Sequence, residues 1–317
     1  MAPFDVITTG RVGVDLYPQQ SNVGLADVET FAKYLGGSAT NVAVQAARLG
    51  SRSAVVTKVG DDPFGPFVRR ALEEFGVDPR WVGTDPSLRT PIVFCEVHPP
   101  DNFPLLFYRE PKAPDMNLTP EDFDAQAVRD ATVFWTTGTG LSDEPSRSTT
   151  LAMLEERSGD GARGITIHDL DHRPMFWEDE ADATRWAREA LRHATVAVGN
   201  QDEVAVAVGT RDPDEAAQAL LDLGVETAIV KRGPEGVLAR TREERVDLPP
   251  VRLEVVNGLG AGDAFGGTLA HGLGHGWELE RTIRAANAAG AIAASRLACA
   301  DDFPTLAEID EVLAAHA

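Results

Sequence analysis

The stretch NGLGAGDAFGG, residues 257–267, sets one carboxylate, Asp263, among five glycines. Glycines 258, 260 and 262 permit a tight turn whose amides converge, and the helical spacing that follows starts a helix at the same point. Unpaired N–H groups and the positive end of the helix dipole make an anion-binding turn at Gly260, Ala261 and Gly262. A plainer alternative stands beside this one, because Asp is common in a first helical turn, where it offsets the dipole, and glycines are common in turns.

A second constellation lies in GGSATNVAVQAARLG, residues 36–50. Gly36 and Gly37 permit close approach of a ligand to the backbone, and Asn41, one turn into the helix, offers a donor and an acceptor to hydroxyl groups. The alternative is a Gly-Gly turn capped by Ser38. Asp15, ending GRVGVD, is either a surface turn residue or an acceptor for a sugar hydroxyl. No G-x-x-x-x-G-K-[ST] occurs, and Phe265 stands where G-x-G-x-x-G from Gly260 needs glycine, so neither a P-loop nor a Rossmann fingerprint is present. The pairs His168/His172 and His271/His275 lack an H-E-x-x-H frame or cysteine partners.

These residues must be positioned by an alternation of short β-branched runs with longer helical patterns. FDVITTG, SAVVTKVG, ATVFWTTG, GITIHDL, TVAVGN and TAIVKRG read as strands; SATNVAVQAARLG and FGPFVRRALEEFG read as helices ended by Gly50 and Gly76. The order predicts an α/β fold with a mainly parallel central sheet. Residues 11–35 lack a crossover helix, and TPIVFCEV, HPPDNFP and LLFYRE form two strands around a turn-rich loop. Segments of about 11–35 and 90–112 are therefore expected to form a small β lid on a single domain spanning residues 1–317.

The chain carries 29 basic and 50 acidic residues, a net charge of −21. Such a surface repels phosphate backbones and anionic lipid, and no basic patch offsets it, so neither nucleic acid nor membrane is an expected partner. Two distant cysteines make no disulfide framework. No apolar run approaches a membrane span and the start lacks a signal-peptide pattern, which points to a cytoplasmic protein.

The pair GGSATNVAVQAARLG and NGLGAGDAFGG resembles the two signature regions of the ribokinase-like (PfkB) carbohydrate kinases, and the element order extends the likeness over nearly the whole chain. The resemblance implies a ribokinase-like three-layer fold and an ATP-dependent kinase acting on a sugar hydroxyl. It assigns Asp263 as general base and the amides of Gly260, Ala261 and Gly262 as the anion hole for the transferring phosphoryl group. Asp15, Gly36, Gly37 and Asn41 would hold the sugar. NQDE matches an Asn-x-x-Glu pattern, so Asn200 and Glu203 would organise hydrated Mg2+ near the phosphates. VKRGPEG resembles the segment along the nucleotide, where Lys231 or Arg232, with Gly233, would meet ATP or remain solvated. Asn287, in AANAAGAIAASR, would neighbour adenine or pack in the core. Asn257-Gly258-Leu259 replaces the family's Asp-Thr, which leaves the base and anion hole in place but leaves open any monovalent cation tied to those side chains.

Within the family, GRVGVDLYP, LLFYREPKAPDM, GTGLS and DHRPMFW resemble the 5-dehydro-2-deoxygluconokinases of inositol catabolism; this implies phosphorylation of the C6 hydroxyl of a keto sugar acid. The 2-dehydro-3-deoxygluconokinases are the rival resemblance, followed by fructokinases and ribokinases. Arg109 and Arg173 are the candidate clamps for the acid's carboxylate, each with an ordinary salt bridge as its alternative. The family's lid can also serve as a homodimer interface. From a different class, a non-catalytic sugar sensor would keep Asn41 but has no need of Asp263.

Overall fold

The computed structural model describes residues 4–20, 22–159 and 164–316. Its strands are β1 (Val6–Thr9), β2 (Gly13–Pro18), β3 (Phe31–Gly36), β4 (Ser53–Gly60), β5 (Val77–Asp78), β6 (Val82–Asp85) and β7 (Ile92–Cys95). They continue as β8 (Leu105–Tyr108), β9 (Val133–Thr137), β10 (Ile165–Asp169), β11 (Val196–Asn200), β12 (Thr227–Lys231), β13 (Val237–Arg240) and β14 (Arg245–Leu248). The helices are α1 (Ser38–Arg48), α2 (Phe64–Glu74), α3 (Ala125–Asp130), α4 (Ser146–Ser158) and α5 (Glu180–Leu191). The rest are α6 (Gln201–Val208), α7 (Pro213–Asp222), α8 (Ala261–Gly274), α9 (Leu279–Ala294) and α10 (Leu306–Ala315).

The main sheet runs β14-β13-β12-β11-β10-β9-β1-β4-β5, with β6 also paired to β4. Its middle strands are apolar at successive positions because helices cover both faces. Val133 and Trp135 of β9 pack with Val42 of α1, Phe265 and Leu269 of α8 and Ile283 of α9. Phe134 points to the other face, against Met153 and Leu154 of α4. Pairings from β5 to β12 are parallel, as expected; β13 and β14 add an antiparallel edge that the sequence reading did not resolve. α1 and α2 stop where Gly50 and Gly76 take positive φ.

A second sheet, β3-β2-β7-β8, is built from strands inside the segments expected to form the lid; Ser21 lies outside the described residues. Its side chains alternate between two faces. Asp15, Tyr17, Val93, Cys95, Leu105 and Phe107 face a cavity beneath the sheet. Leu106 and Tyr108 are exposed on the opposite face, where the rings of Phe31, Phe94 and Tyr108 lie in edge contact. Among the described residues no helix is long and apolar enough to cross a membrane.

Candidate active site

Two cavities meet at the start of α8. The smaller, about 300 Å³, lies under the second sheet and is lined by Arg11, Asp15, Asn41, Arg109, Arg173 and Asp263 among others. The larger, about 930 Å³, runs along β12 and α9 and is mostly apolar, with Val251, Leu253, Phe265, Asn287 and Ala291 in its wall. Asn200, Lys231, Gly258 and Gly262 border both.

The glycine turn is built as its sequence suggests. Gly260 is the N-cap residue of α8 with φ +80°, and a Cβ there would lie 2.6 Å from Cys299 Sγ, so only glycine fits. Ala261 faces the larger cavity, Gly260 the smaller, and Gly262 both. Asp263 follows in the first turn, and its Oδ2 accepts a 2.8 Å hydrogen bond from Asn41 Nδ2. Asn41 Oδ1 is buried without a partner among the described residues, which leaves an acceptor for a hydroxyl in the smaller cavity.

The two glycines before α1 serve a purpose the sequence reading did not anticipate. A Cβ on Gly36 would stand 2.0 Å from Asp15 Oδ1, and one on Gly37, at φ +103°, would stand 2.4 Å from the Arg11 carbonyl oxygen. Gly36 lines neither cavity; its bare backbone makes room for the Asp15 carboxylate, while Gly37 does reach the smaller cavity. Ser38 does not cap the helix; its hydroxyl donates to Asp171 Oδ2.

Arg109 and Arg173 both reach the smaller cavity but differ in freedom. Arg109 directs two guanidinium nitrogens at the buried Asp115, at 2.5 and 3.1 Å, and its side chain is only 9% exposed. Arg173 approaches Asp171 through Nε at 3.2 Å without hydrogen-bond geometry and is 40% exposed. A third arginine, Arg11, is buried in the same wall; it donates to Thr139 Oγ1 and to Asp171 Oδ2. Sequence reasoning did not single out Arg11, Asp171 or Asp169. The available signal was a basic residue straight after the first strand of a very acidic chain.

On the other side of the turn, Lys231 ends β12, with Nζ 3.6 Å from where a Gly262 Cβ would lie and 4.0 Å from Glu203 Oε2. Asn200 and Glu203 form a capping box at the start of α6. Asn200 borders both cavities, and the buried Glu203 borders the smaller one. Arg232 is turned away onto Asp247 and lines neither cavity, so of the two basic neighbours only Lys231 reaches the site. Gly233 borders the larger cavity, where Asn287 Nδ2 donates to the Pro249 carbonyl.

Charge is unevenly held here. Loss of solvent pushes Asp263 up to about 6 despite the Asn41 hydrogen bond and the nearby Arg11 and Arg173. This is above the ordinary carboxylate value expected for an exposed aspartate. Burial and the neighbouring Asp263 raise Asp15 to about 7. Burial also works against the charged form of Asp171, but Arg11 and Arg173 outweigh it and hold this carboxyl well below its usual range. Burial works against the charge on Lys231 too, and the carboxylates of Asp169, Glu203, Asp263 and Asp171 reverse that, raising it overall. The arrangement can accept a proton at Asp263, stabilise an anion at the turn and Lys231, and hold a polyhydroxylated ligand beneath the second sheet.

A model of the pfkB family of carbohydrate kinases matches residues 4–306. The chain is 34% identical over 310 residues to the 5-dehydro-2-deoxygluconokinase of Photobacterium profundum, covering 96% of this chain and 92% of that one. It is 30% identical to the 5-dehydro-2-deoxygluconokinase of Geobacillus kaustophilus, over 99% and 95% of the two chains. Among solved structures, a double mutant of the Vibrio cholerae fructokinase, bound to fructose, ADP and a potassium ion, superposes with a TM-score of 0.87 at 26% identity, covering 98% of each chain. The aminoimidazole riboside kinase of Salmonella enterica gives 0.81 at 28% identity over 97% and 99%.

Proposed function

This chain belongs to the pfkB family of carbohydrate kinases, and we propose that it transfers the γ-phosphoryl group of ATP to the C6 hydroxyl of 5-dehydro-2-deoxy-D-gluconate, in the breakdown of myo-inositol. Similarity to two 5-dehydro-2-deoxygluconokinases supports the acid as acceptor. The observation that carries the reading is the junction itself: a polar and an apolar cavity meet where Asp263, the Gly260–Gly262 turn and Lys231 converge.

In this reading the sugar acid lies under the second sheet, with Asp15 and Asn41 on its hydroxyls, and ATP lies along the larger cavity beside Gly233 and Asn287. The C6 oxygen attacks the γ-phosphorus, the bond to the leaving ADP oxygen breaks, and Asp263 takes the hydroxyl proton. The turn amides and Lys231 meet the charge on the transferring group, each preorganised donor contributing roughly 3–4 kcal/mol. Asn200 at the junction and Glu203 beside it, short of a complete cage, would hold a hydrated Mg2+ through water, and the ion would neutralise phosphate charge. The second sheet acts as the lid of a single cytoplasmic kinase domain, excluding water from the reacting groups.

Arg173 is the carboxylate clamp, since its guanidinium is the less committed of the two candidates. Its planar fork suits a carboxylate, and hydrogen bonds to charged groups are worth about 1.5–3 kcal/mol. An ATP-consumption assay over keto acids and neutral sugars tests both points. Wild type should prefer 5-dehydro-2-deoxy-D-gluconate over 2-dehydro-3-deoxygluconate, fructose and ribose, and Arg173→Ala should lower kcat/KM for the acid by roughly 10–100-fold with ATP affinity unchanged. Equal turnover of neutral sugars and acids by wild type would remove the sugar-acid assignment.

The exposed Leu106 and Tyr108, with the half-buried rings of Phe31 and Phe94 beside them, support a homodimer through the outer face of the lid. Light scattering should return twice the chain mass, 34.0 kDa, and Tyr108→Glu should shift it to that of one chain. A single-chain mass for wild type at working concentration would count against the dimer.

A further inference from the structure

Asn257 ties the anion-binding turn to the chain that follows α9. It is fully buried, three residues before Gly260, and both ends of its amide are engaged. Nδ2 donates to the Leu297 carbonyl at 2.7 Å, and Oδ1 accepts from the Leu259 amide at 3.1 Å. The backbone amides of Val256 and Asn257 both donate to the Ala294 carbonyl at the end of α9. Two residues beyond Leu297, Cys299 packs against Gly260. A carbonyl can only accept and an amide N–H can only donate, so this geometry demands a side chain with one donor and one acceptor, which Asn has and an ionised Asp lacks.

Resting on the kinase reading, we propose that Asn257 is a positioning residue that holds the turn in its anion-binding shape by direct hydrogen bonding, so that no monovalent cation is needed there. A carboxylate at 257 would set a buried negative charge against the Leu297 carbonyl with only the Leu259 amide to offset it, a placement that a bound cation would relieve. The donor set present does not fit one.

The test compares wild type, Asn257→Asp and Asn257→Ala in potassium chloride and in tetramethylammonium chloride at equal ionic strength, reading kcat at saturation and the thermal midpoint. Wild type should keep kcat within about twofold and an unchanged midpoint between the salts. Asn257→Asp should lose at least tenfold in kcat and several degrees in tetramethylammonium, and recover much of both in potassium, because a ligand bound only by the folded state stabilises it. Asn257→Ala should lose about tenfold in kcat in both salts with little change in either KM. The proposal is overturned by a tenfold loss of wild-type kcat in tetramethylammonium, by full kcat in Asn257→Ala, or by an Asn257→Asp variant indifferent to the salt. The thermal midpoints answer without turnover, so a failure of the kinase reading, seen as no ATP consumption by wild type in potassium, is distinguishable.

Discussion

Replacing Asp263 with Asn is expected to leave a folded protein that binds both substrates and turns them over about 10²–10⁴-fold more slowly. The two side chains have the same shape, and an amide oxygen at 263 can still accept the hydrogen bond that Asn41 donates. What is lost is the ability to take the hydroxyl proton as the phosphorus–oxygen bond forms. The pH dependence supplies a second reading of the same residue. As the proposed base Asp263 must be deprotonated, and desolvation raises it to about 6, so wild-type kcat/KM should fall as the pH drops through that value. Because Asp15 lies close enough to shift with it, the acid limb belongs to the two carboxyls together. The residual activity of Asp263→Asn should lack the part of that limb due to Asp263. A folded variant with near wild-type kcat would take Asp263 out of the mechanism.

Gly262→Val is expected to lower kcat by about 10²–10³-fold, the loss typical of a disabled oxyanion donor, with the affinity for the sugar acid little changed. The site allows an unusually clean version of this experiment. A Cβ at Gly262 meets only the Lys231 ammonium, at 3.6 Å, so a side chain there has room in the unliganded fold. It would instead project into the junction where, in the proposed mechanism, the phosphoryl group approaches the amides. Gly260 offers no such test, because its positive φ and the Cys299 sulfur at 2.6 Å mean that any side chain disturbs the turn itself. Loss of sugar binding with unchanged kcat at saturation would mean that Gly262 serves the fold alone.

Local physics made much of this molecule legible before any coordinates. A helix N-terminus written in glycines next to Asp263 is a short-range device, since the amides, the dipole and the carboxylate all come from residues 257–267, and α8 begins there. The same is true of α1 and α2, stopped by Gly50 and Gly76, and of the apolar strands β1, β4 and β9 to β12, whose composition already demands cover on both faces. The edge strands β13 (VLAR) and β14 (RVDL) were not legible because, unlike the equally short β1 (VITT), they mix charged residues into the run and so lack an uninterrupted β-branched stretch.

Tertiary structure alone decided which charged groups share the site and what each is free to do. Arg11 meets Asp171 from 160 positions away, and Asn41 meets Asp263 from 222. It turned Arg232 onto Asp247 while leaving its neighbour Lys231 at the junction, and it committed Arg109 to Asp115 but left Arg173 open. It gave Gly36 its purpose, which is to clear space for a carboxylate on the neighbouring strand. The physical reason is common to all of these. Conformational preference and capping act over a few residues and are written in the sequence, whereas desolvation and pairing of charge depend on what the fold brings within a few ångströms.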